Sequence, residues 1–281
     1  MRLVQIDAFA DREFSGNPAA VMPLERWLPD AVLQAIAEEN NLSETAFLVR
    51  QLPSAAGQPP IGSPGYHLRW FTPAVEVDLC GHATLAAAAH LFDDVHPQAE
   101  GLAFWTRSGW LQVTRGTSAG HLDMDFPAEA LLELPADDPV SAAAVAALGV
   151  RPLACLRGTD LAFVLADEAA VLAATPDHGA LAQLPVRGVI ITAKADRPDV
   201  DFVSRWFGGA AGVREDPVTG SAHSQMAPYW AGRLGRTALT ARQLSRRGGT
   251  VRCEVRGERV RLSGSYRRYL DGTATIADPA E

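Results

Sequence analysis

The sequence predicts a mixed α+β protein built from two similar halves. One short pattern occurs twice. Trp70-Phe71 precedes Cys80-Gly81-His82-Ala83 and an apolar run, and Trp206-Phe207 precedes Thr219-Gly220-Ser221-Ala222 and a second helical run. Downstream, Arg107-Ser108-Gly109 before a strand is echoed by Arg247-Gly248-Gly249 before a strand, and the Cys80-to-Thr219 and Arg107-to-Arg247 offsets are 139 and 140. Ala83 to Phe92 is small and apolar nearly all round, which marks a buried helix that a curved sheet can wrap closely.

Read in order, residues 3–9 alternate as a strand, Phe14 to Pro18 form a turn, and Ala19 to Met22 is a short apolar strand. Pro29-Asp30 opens a helix with Val32, Leu33 and Ile36 on one face, and Asn40-Asn41 stops it. Thr45 to Val49 is a buried strand, and Gln51 to Gly65 is a loop rich in Pro, Gly and Ser. His67–Phe71 is a strand, and Leu102–Trp105 with Trp110–Thr114 reads as a hairpin. The polar stretch 115–121 crosses into the second half. There, strands are expected at Leu122–Phe126, Ala162–Leu165, Val189–Ala193, Thr250–Val255 and Arg259–Leu262. Helices are expected at Val140–Leu148 and from Ser221, the latter kinked at Pro228. Thr273–Ile276 is a last strand-like piece that can return to either half. The expected domains are therefore 1–118 and 119–269, with 270–281 as a candidate to complete the first.

Composition narrows the function. The chain has 281 residues, 47% of them hydrophobic and 21% charged, enough for two cored domains. The formal net charge of −8 argues against nucleic acid or an anionic membrane as partner. Nine arginines lie between Arg242 and Arg268, but several alternate with apolar residues, as on a solvated strand face. Lys194 is the single lysine, and the sequence holds neither a lysine-bearing phosphate loop nor a dinucleotide fingerprint, so nucleotide and pyridoxal cofactors are disfavoured. Cys80, Cys155 and Cys253 are odd in number and widely spaced, which fits a reducing cytoplasm. The first residues lack the apolar core of a signal peptide, and no run is long enough to span a bilayer. The seven histidines show no ligand spacing, so no metal is expected.

Three segments carry the chemistry: Asn41 to Phe47 with Ser43-Glu44-Thr45 at its centre, Asp78-Leu79-Cys80-Gly81-His82-Ala83-Thr84, and Glu215-Asp216-Pro217-Val218-Thr219-Gly220-Ser221-Ala222. With Phe14-Ser15-Gly16-Asn17-Pro18 they resemble the PhzF family, named for the isomerase of phenazine biosynthesis, over essentially the whole chain. The resemblance implies a fold like diaminopimelate epimerase: two pseudo-symmetric domains, each a rolled mixed sheet around a central helix, with the active site between them. It also implies a homodimer that needs no cofactor.

Glu44 starts an apolar strand, where lost hydration favours a carboxyl that both takes and gives a proton, although a strand-end Glu is ordinarily solvated. The resemblance matches it to the family's acid/base glutamate. His82 can donate to a substrate oxygen or simply bond backbone at a helix start, and the resemblance implies substrate contact. Asp216 before Pro217 has the pattern of a helix N-cap, while the resemblance gives it a role in positioning substrate. Gly81, Gly220 and Ser221 are expected at helix N-termini able to receive a carboxylate. Asn17 is either a turn residue or a substrate contact. Cys80 is either a catalytic thiol or an inert small hydrophobe. Its counterpart, Thr219, is too weak an acid to act as a mirror base, so a two-cysteine racemase is disfavoured.

The reading is a cofactor-independent isomerase of a small carboxylate-bearing metabolite, with Glu44 moving a proton between carbons on one face. An epimerase or dehydratase using Cys80 with Glu44, and a silent small-molecule-binding protein, are the alternatives.

Overall fold

The computed structural model describes residues 1–60, 62–135, 137–209 and 212–276. The chain divides into two compact units, Met1–Asp125 with Ser263–Glu281, and Phe126–Leu262. In chain order the first stretch runs β1 (Arg2–Ala8), β2 (Asn17–Leu24), α1 (Asp30–Asn40), β3 (Glu44–Val49), β4 (Gly65–Phe71), β5 (Glu76–Val77), α2 (Gly81–Asp94), β6 (Gly101–Thr106), β7 (Gly109–Arg115) and β8 (His121–Pro127). It continues with β9 (Leu132–Glu133), α3 (Pro139–Leu148), β10 (Ala154–Arg157), β11 (Leu161–Val164), α4 (Glu168–Ala173), α5 (His178–Ala182), β12 (Val189–Lys194) and β13 (Phe202–Phe207). It ends with α6 (Gly220–Leu234), β14 (Ala238–Gln243), β15 (Gly249–Arg256) and β16 (Arg259–Thr273).

The duplication is written in the strand pairings. Antiparallel β1–β2, parallel β2–β3, antiparallel β3–β4, parallel β4–β6 and antiparallel β6–β7 make up the first series. Antiparallel β10–β11, parallel β11–β12, antiparallel β12–β13, parallel β13–β14 and antiparallel β14–β15 repeat it. In the first unit β16 neighbours β8 and also pairs with β1, so the strand order returns on itself. Each parallel crossover is filled by a helix, α2 between β4 and β6 and α6 between β13 and β14.

α2 is the core of the first unit. All residues from Gly81 to Phe92 are buried, and the helix packs against β1, β2, β3 and β7. Alanines dominate its middle because the surrounding backbone comes close: Ala86, Ala87, Ala88 and Ala89 are each fully inaccessible. Helix α6 is buried all round from Ala222 to Ala227 and packs against β14 and β15, with exposure only toward its end at Gly232 and Arg233. It passes through Pro228 unbroken. The Ser224 carbonyl, which loses its Pro228 partner, accepts the Glu129 N–H instead at 3.3 Å.

One expectation is corrected. Thr273–Ile276 is not a separate strand: β16 runs continuously to Thr273, and Ala274 only adds a bond to the Met1 carbonyl. Residues 277–281 of the expected tail lie outside the described residues. The short elements β9, β10, α4 and α5 were not legible, being too brief to show a period. Arg252 and Arg256 are exposed while Val251 and Cys253 are buried, as a solvated strand face requires.

Overpacking α2 tests its fit. Ala87→Leu is expected to cost about 1–3 kcal/mol, read as a lower urea midpoint at unchanged slope. An unchanged midpoint means the helix has room the structure does not show.

Candidate active site

Three element starts meet at one end of the first unit. Gly16, at φ +74°, turns the chain into β2, and a Cβ there meets the Ala8 carbonyl at 2.3 Å. Asn17 follows, fully buried. Asn41, in the left-handed region, closes α1 and releases the chain into β3 at Glu44. Because β2 and β3 are parallel, with Ala19 opposite Glu44, Asn17 and Glu44 lie at the same end of the sheet. Cys80 is the N-cap of α2 and makes no side-chain cap; instead Thr84 Oγ1 donates to its carbonyl at 2.6 Å.

His82 joins these groups. Its Nε2 lies 2.8 Å from Glu44 Oε2, with side chains only 5% and 13% exposed. Its Nδ1 is 3.1 Å from Asn17 Nδ2 and 3.5 Å from Cys80 Sγ. An amide can serve either state of the ring, donating to a neutral Nδ1 or, turned over, accepting from an imidazolium. Glu44 Oε2 is shielded from solvent and faces the His82 ring.

Electrostatics follow from this packing. Burial, then repulsion from Glu44, pushes the Cys80 thiol up to about 11, so the sulfur is neutral near pH 7. Burial works against charge on His82, but attraction from Cys80 and Glu44 outweighs it and lifts the imidazole well above its ordinary range. With the thiol neutral, the Glu44 carboxylate is what retains that proton.

The second unit builds a related end differently. Thr219, not Asp216, is the N-cap of α6, which starts at Gly220. The expected Asp-Pro cap is therefore corrected: Pro217 lies in the approach loop, and Asp216 Oδ2 accepts from Thr219 Oγ1 at 2.5 Å. Gln243, at the end of β14, brackets both residues, accepting the Thr219 N–H at 2.9 Å and donating to the Asp216 carbonyl at 2.7 Å. Both Asp216 and Thr219 are buried. His223 takes the position of Thr84 and bonds the Thr219 carbonyl through Nδ1 at 2.7 Å. Burial pushes its imidazole down to about 4, so it is neutral.

Register identifies what the second unit has in place of Glu44. Thr45 pairs with Phe71, and Val189 pairs with Phe207, so the residue before each of these pairs matches Glu44 to Gly188. A Cβ at Gly188 meets the Trp206 indole at 2.3 Å, which excludes any side chain there. Next to it, Arg187 donates to Ser221 Oγ at 3.0 Å and to both oxygens of fully buried Asp160, at 2.9 and 2.5 Å. Trp206 Nε1 and Gln225 Nε2 also donate to Asp160 Oδ2.

Sequence reading missed Arg187, Asp160 and Gln243. It also missed a repeated anchor: Arg69 and Arg205 each pair through two nitrogens with Glu76 and Glu215, four residues before Cys80 and Thr219. The signal was present in the repeat, since Arg-Trp-Phe occurs in both halves. The absence of metal-ligand spacing also needs revision. Glu44 is remote in sequence, yet its carboxylate, Cys80 Sγ and His82 present ligand atoms all within 4.8 Å of one another.

The phenazine biosynthesis-like protein family, PhzC-PhzF, matches residues 6–278. The chain belongs to the PhzF family. An uncharacterized isomerase of Pseudomonas aeruginosa is 51% identical over 277 residues, covering 97% of this chain and 98% of that protein. The mouse phenazine biosynthesis-like domain-containing protein 1 is 38% identical, covering 96% and 97%. A PhzF-family crystal structure from Enterococcus faecalis is 46% identical, with a TM-score of 0.87 and coverage of 98% and 99%. A hydroxyproline epimerase from Agrobacterium vitis shares the fold at a TM-score of 0.59 and 12% identity, over 100% of this chain and 94% of that one. The mixed α+β, epimerase-like fold is thereby established for this PhzF-family chain. No helix among the described residues is long and apolar enough to cross a membrane.

The two buried histidines give opposite pH signatures. The folded chain holds the His82 proton more tightly than an unfolded imidazole near 6.5. That stabilisation is full below about pH 6.5 and fades as pH rises through the raised folded value. His223, held down to about 4, stabilises above about 6.5 and loses this as pH falls toward 4. Urea midpoints across this range should lose their alkaline decline in His82→Gln and their acid decline in His223→Gln. Midpoint differences independent of pH contradict the assignments.

Proposed function

We propose that this chain is an isomerase that moves a proton between two carbons of a small unsaturated carboxylate, with Glu44 as the one general acid/base. The observation that carries the reading is the asymmetry between matched positions, a sheltered carboxylate at Glu44 and an enforced glycine at Gly188. One base on one face suits a shift within a conjugated system. Racemisation calls for donors on opposite faces. Membership of the PhzF family and relatives named as isomerases support the same class.

In this mechanism Glu44 Oε2 takes the proton from carbon as the C–H electron pair enters the conjugated system. His82 donates to the oxygen on which negative charge collects. Glu44 then returns the proton to another carbon of that system on the same face. The acid and base forms interconvert without a net proton change. Asn17 and Gly81 contact the substrate beside His82. At the start of α6, Gly220 and Ser221 offer a receptor for a small carboxylate, braced by the Asp216–Thr219 bond. Arg187 joins the carboxylate contacts through its bond to Ser221, with Asp160 holding the guanidinium in place. A Cys80 epimerase or dehydratase has less support, because the thiol is neutral near pH 7.

The test is uptake of solvent deuterium by a panel of small unsaturated and amino-substituted carboxylates, read by mass spectrometry. Glu44→Gln is expected to lower uptake about 10²- to 10⁴-fold. Equal labelling by both proteins overturns the mechanism. For a compound that labels, Arg187→Lys should raise KM about tenfold with little change in kcat, as expected when a ground-state carboxylate contact is weakened. An unchanged KM removes Arg187 from the binding contacts.

A further inference from the structure

Glu44, Cys80 and His82 form a set whose chemistry exceeds proton transfer. They supply a carboxylate oxygen, a sulfur and an imidazole nitrogen, the three donor types that zinc takes in proteins. Their ligand atoms lie within 4.8 Å of one another. His82 Nε2 is 2.8 Å from Glu44 Oε2 and 3.9 Å from Cys80 Sγ. Tetrahedral bonds of about 2.0–2.3 Å put neighbouring ligands roughly 3.3–3.8 Å apart, so small side-chain shifts suffice.

The backbone holding the set is already fixed. Cys80 and His82 flank Gly81 at the buried start of α2, and Glu44 starts β3. Asn17 meets the other ring nitrogen of His82, the position from which an outer partner orients a metal-bound imidazole. The near neighbour of Glu44 Oε2 is the His82 ring, itself one of the three ligands. A thiolate and a carboxylate around a dication leave no net charge in a buried site.

We propose that Glu44, Cys80 and His82 bind Zn²⁺ and that the bound ion reversibly silences the isomerase. The silencing rests on the proton-transfer role of Glu44; the binding does not. On binding, the thiol proton and the imidazolium Nε2 proton pass to solvent, three protein atoms ligate the ion, and water fills the fourth position. The dication occupies Glu44 Oε2, the oxygen that takes the substrate proton, and draws charge from the carboxylate, so its basicity falls. Mg²⁺ and Ca²⁺ are poor occupants, because only one of the three donors is an oxygen.

Metal binding is measured first, on the full chain without substrate. Co²⁺ serves as the spectroscopic probe, and Zn²⁺ is titrated against a chromophoric chelator. The expected result is one tight Zn²⁺ per chain, and a thiolate-to-cobalt charge-transfer band that Zn²⁺ erases. Cys80→Ser should abolish the band, His82→Gln should weaken Zn²⁺ at least tenfold, and Asn17→Ala should weaken it about 10- to 100-fold. Cys155→Ser, altering the half-buried thiol elsewhere, should change neither. A wild type without the band, or a band lost in Cys155→Ser and kept in Cys80→Ser, overturns the site. Deuterium uptake is then followed with Zn²⁺ and after chelation, and uptake that Zn²⁺ leaves unchanged overturns the silencing. Intact metal binding with uptake insensitive to Glu44→Gln refutes the isomerase mechanism alone. Glu44-dependent uptake without the cobalt band refutes the metal site alone.

Discussion

The burial of α2 is the constraint on which the first unit depends. A helix enclosed from Gly81 to Phe92 cannot leave polar groups at its start to water, so they must answer one another. Thr84 satisfies the Cys80 carbonyl, and His82 is met by Asn17, Cys80 and Glu44. The alanine surface brings β1, β2 and β3 close around the helix, and the parallel β2–β3 pair carries Asn17 and Glu44 to the same end. Packing and site are one arrangement: the tight fit that stabilises the helix also removes water from the carboxylate.

The second unit keeps the scaffold and alters its chemistry. Both halves tie the loop before the helix with a two-pronged Arg–Glu pair, and both satisfy the carbonyl before the helix from its fourth residue onward. Where the first half has Glu44, the second has Gly188 beneath an indole; where the first has Cys80, the second has Thr219 committed to Asp216. The same scaffold therefore presents a different set of polar groups at the start of each helix. This difference also explains the electrostatic contrast between the helices. His82 lies against a carboxylate and gains a proton, whereas His223 meets a carbonyl and an apolar wall and stays neutral.

Much of the fold was legible because its signals are local. Alternation marked β1 and β15, an apolar run marked β3, small apolar residues marked α2, and the repeated Gly turns marked both helix starts. Elements of two to six residues, such as β9, β10, α4 and α5, carry too little period to be read. Glu44, His82 and Asp216 were legible as candidates, but Asp216 was also read as a cap because Asp-Pro has that local signature. Gln243 shows why the reading failed: its amide, reaching from β14, satisfies the groups a cap would have served.

By itself the sequence determined the duplication, the two glycine turns into helices, the family, and the residue types available for proton transfer. The duplication and the glycine turns follow from spacing along the chain, and the family from the motifs that resemble it. Only tertiary structure decided which of those residues meet. Glu44 and His82 are 38 positions apart in the chain, yet 2.8 Å separates their reactive atoms. Asp160 holds Arg187 across a sheet, and Gly188 is bare because Trp206 folds over it. Contacts of this kind depend on strand register and side-chain packing between distant segments, and local sequence carries no record of either.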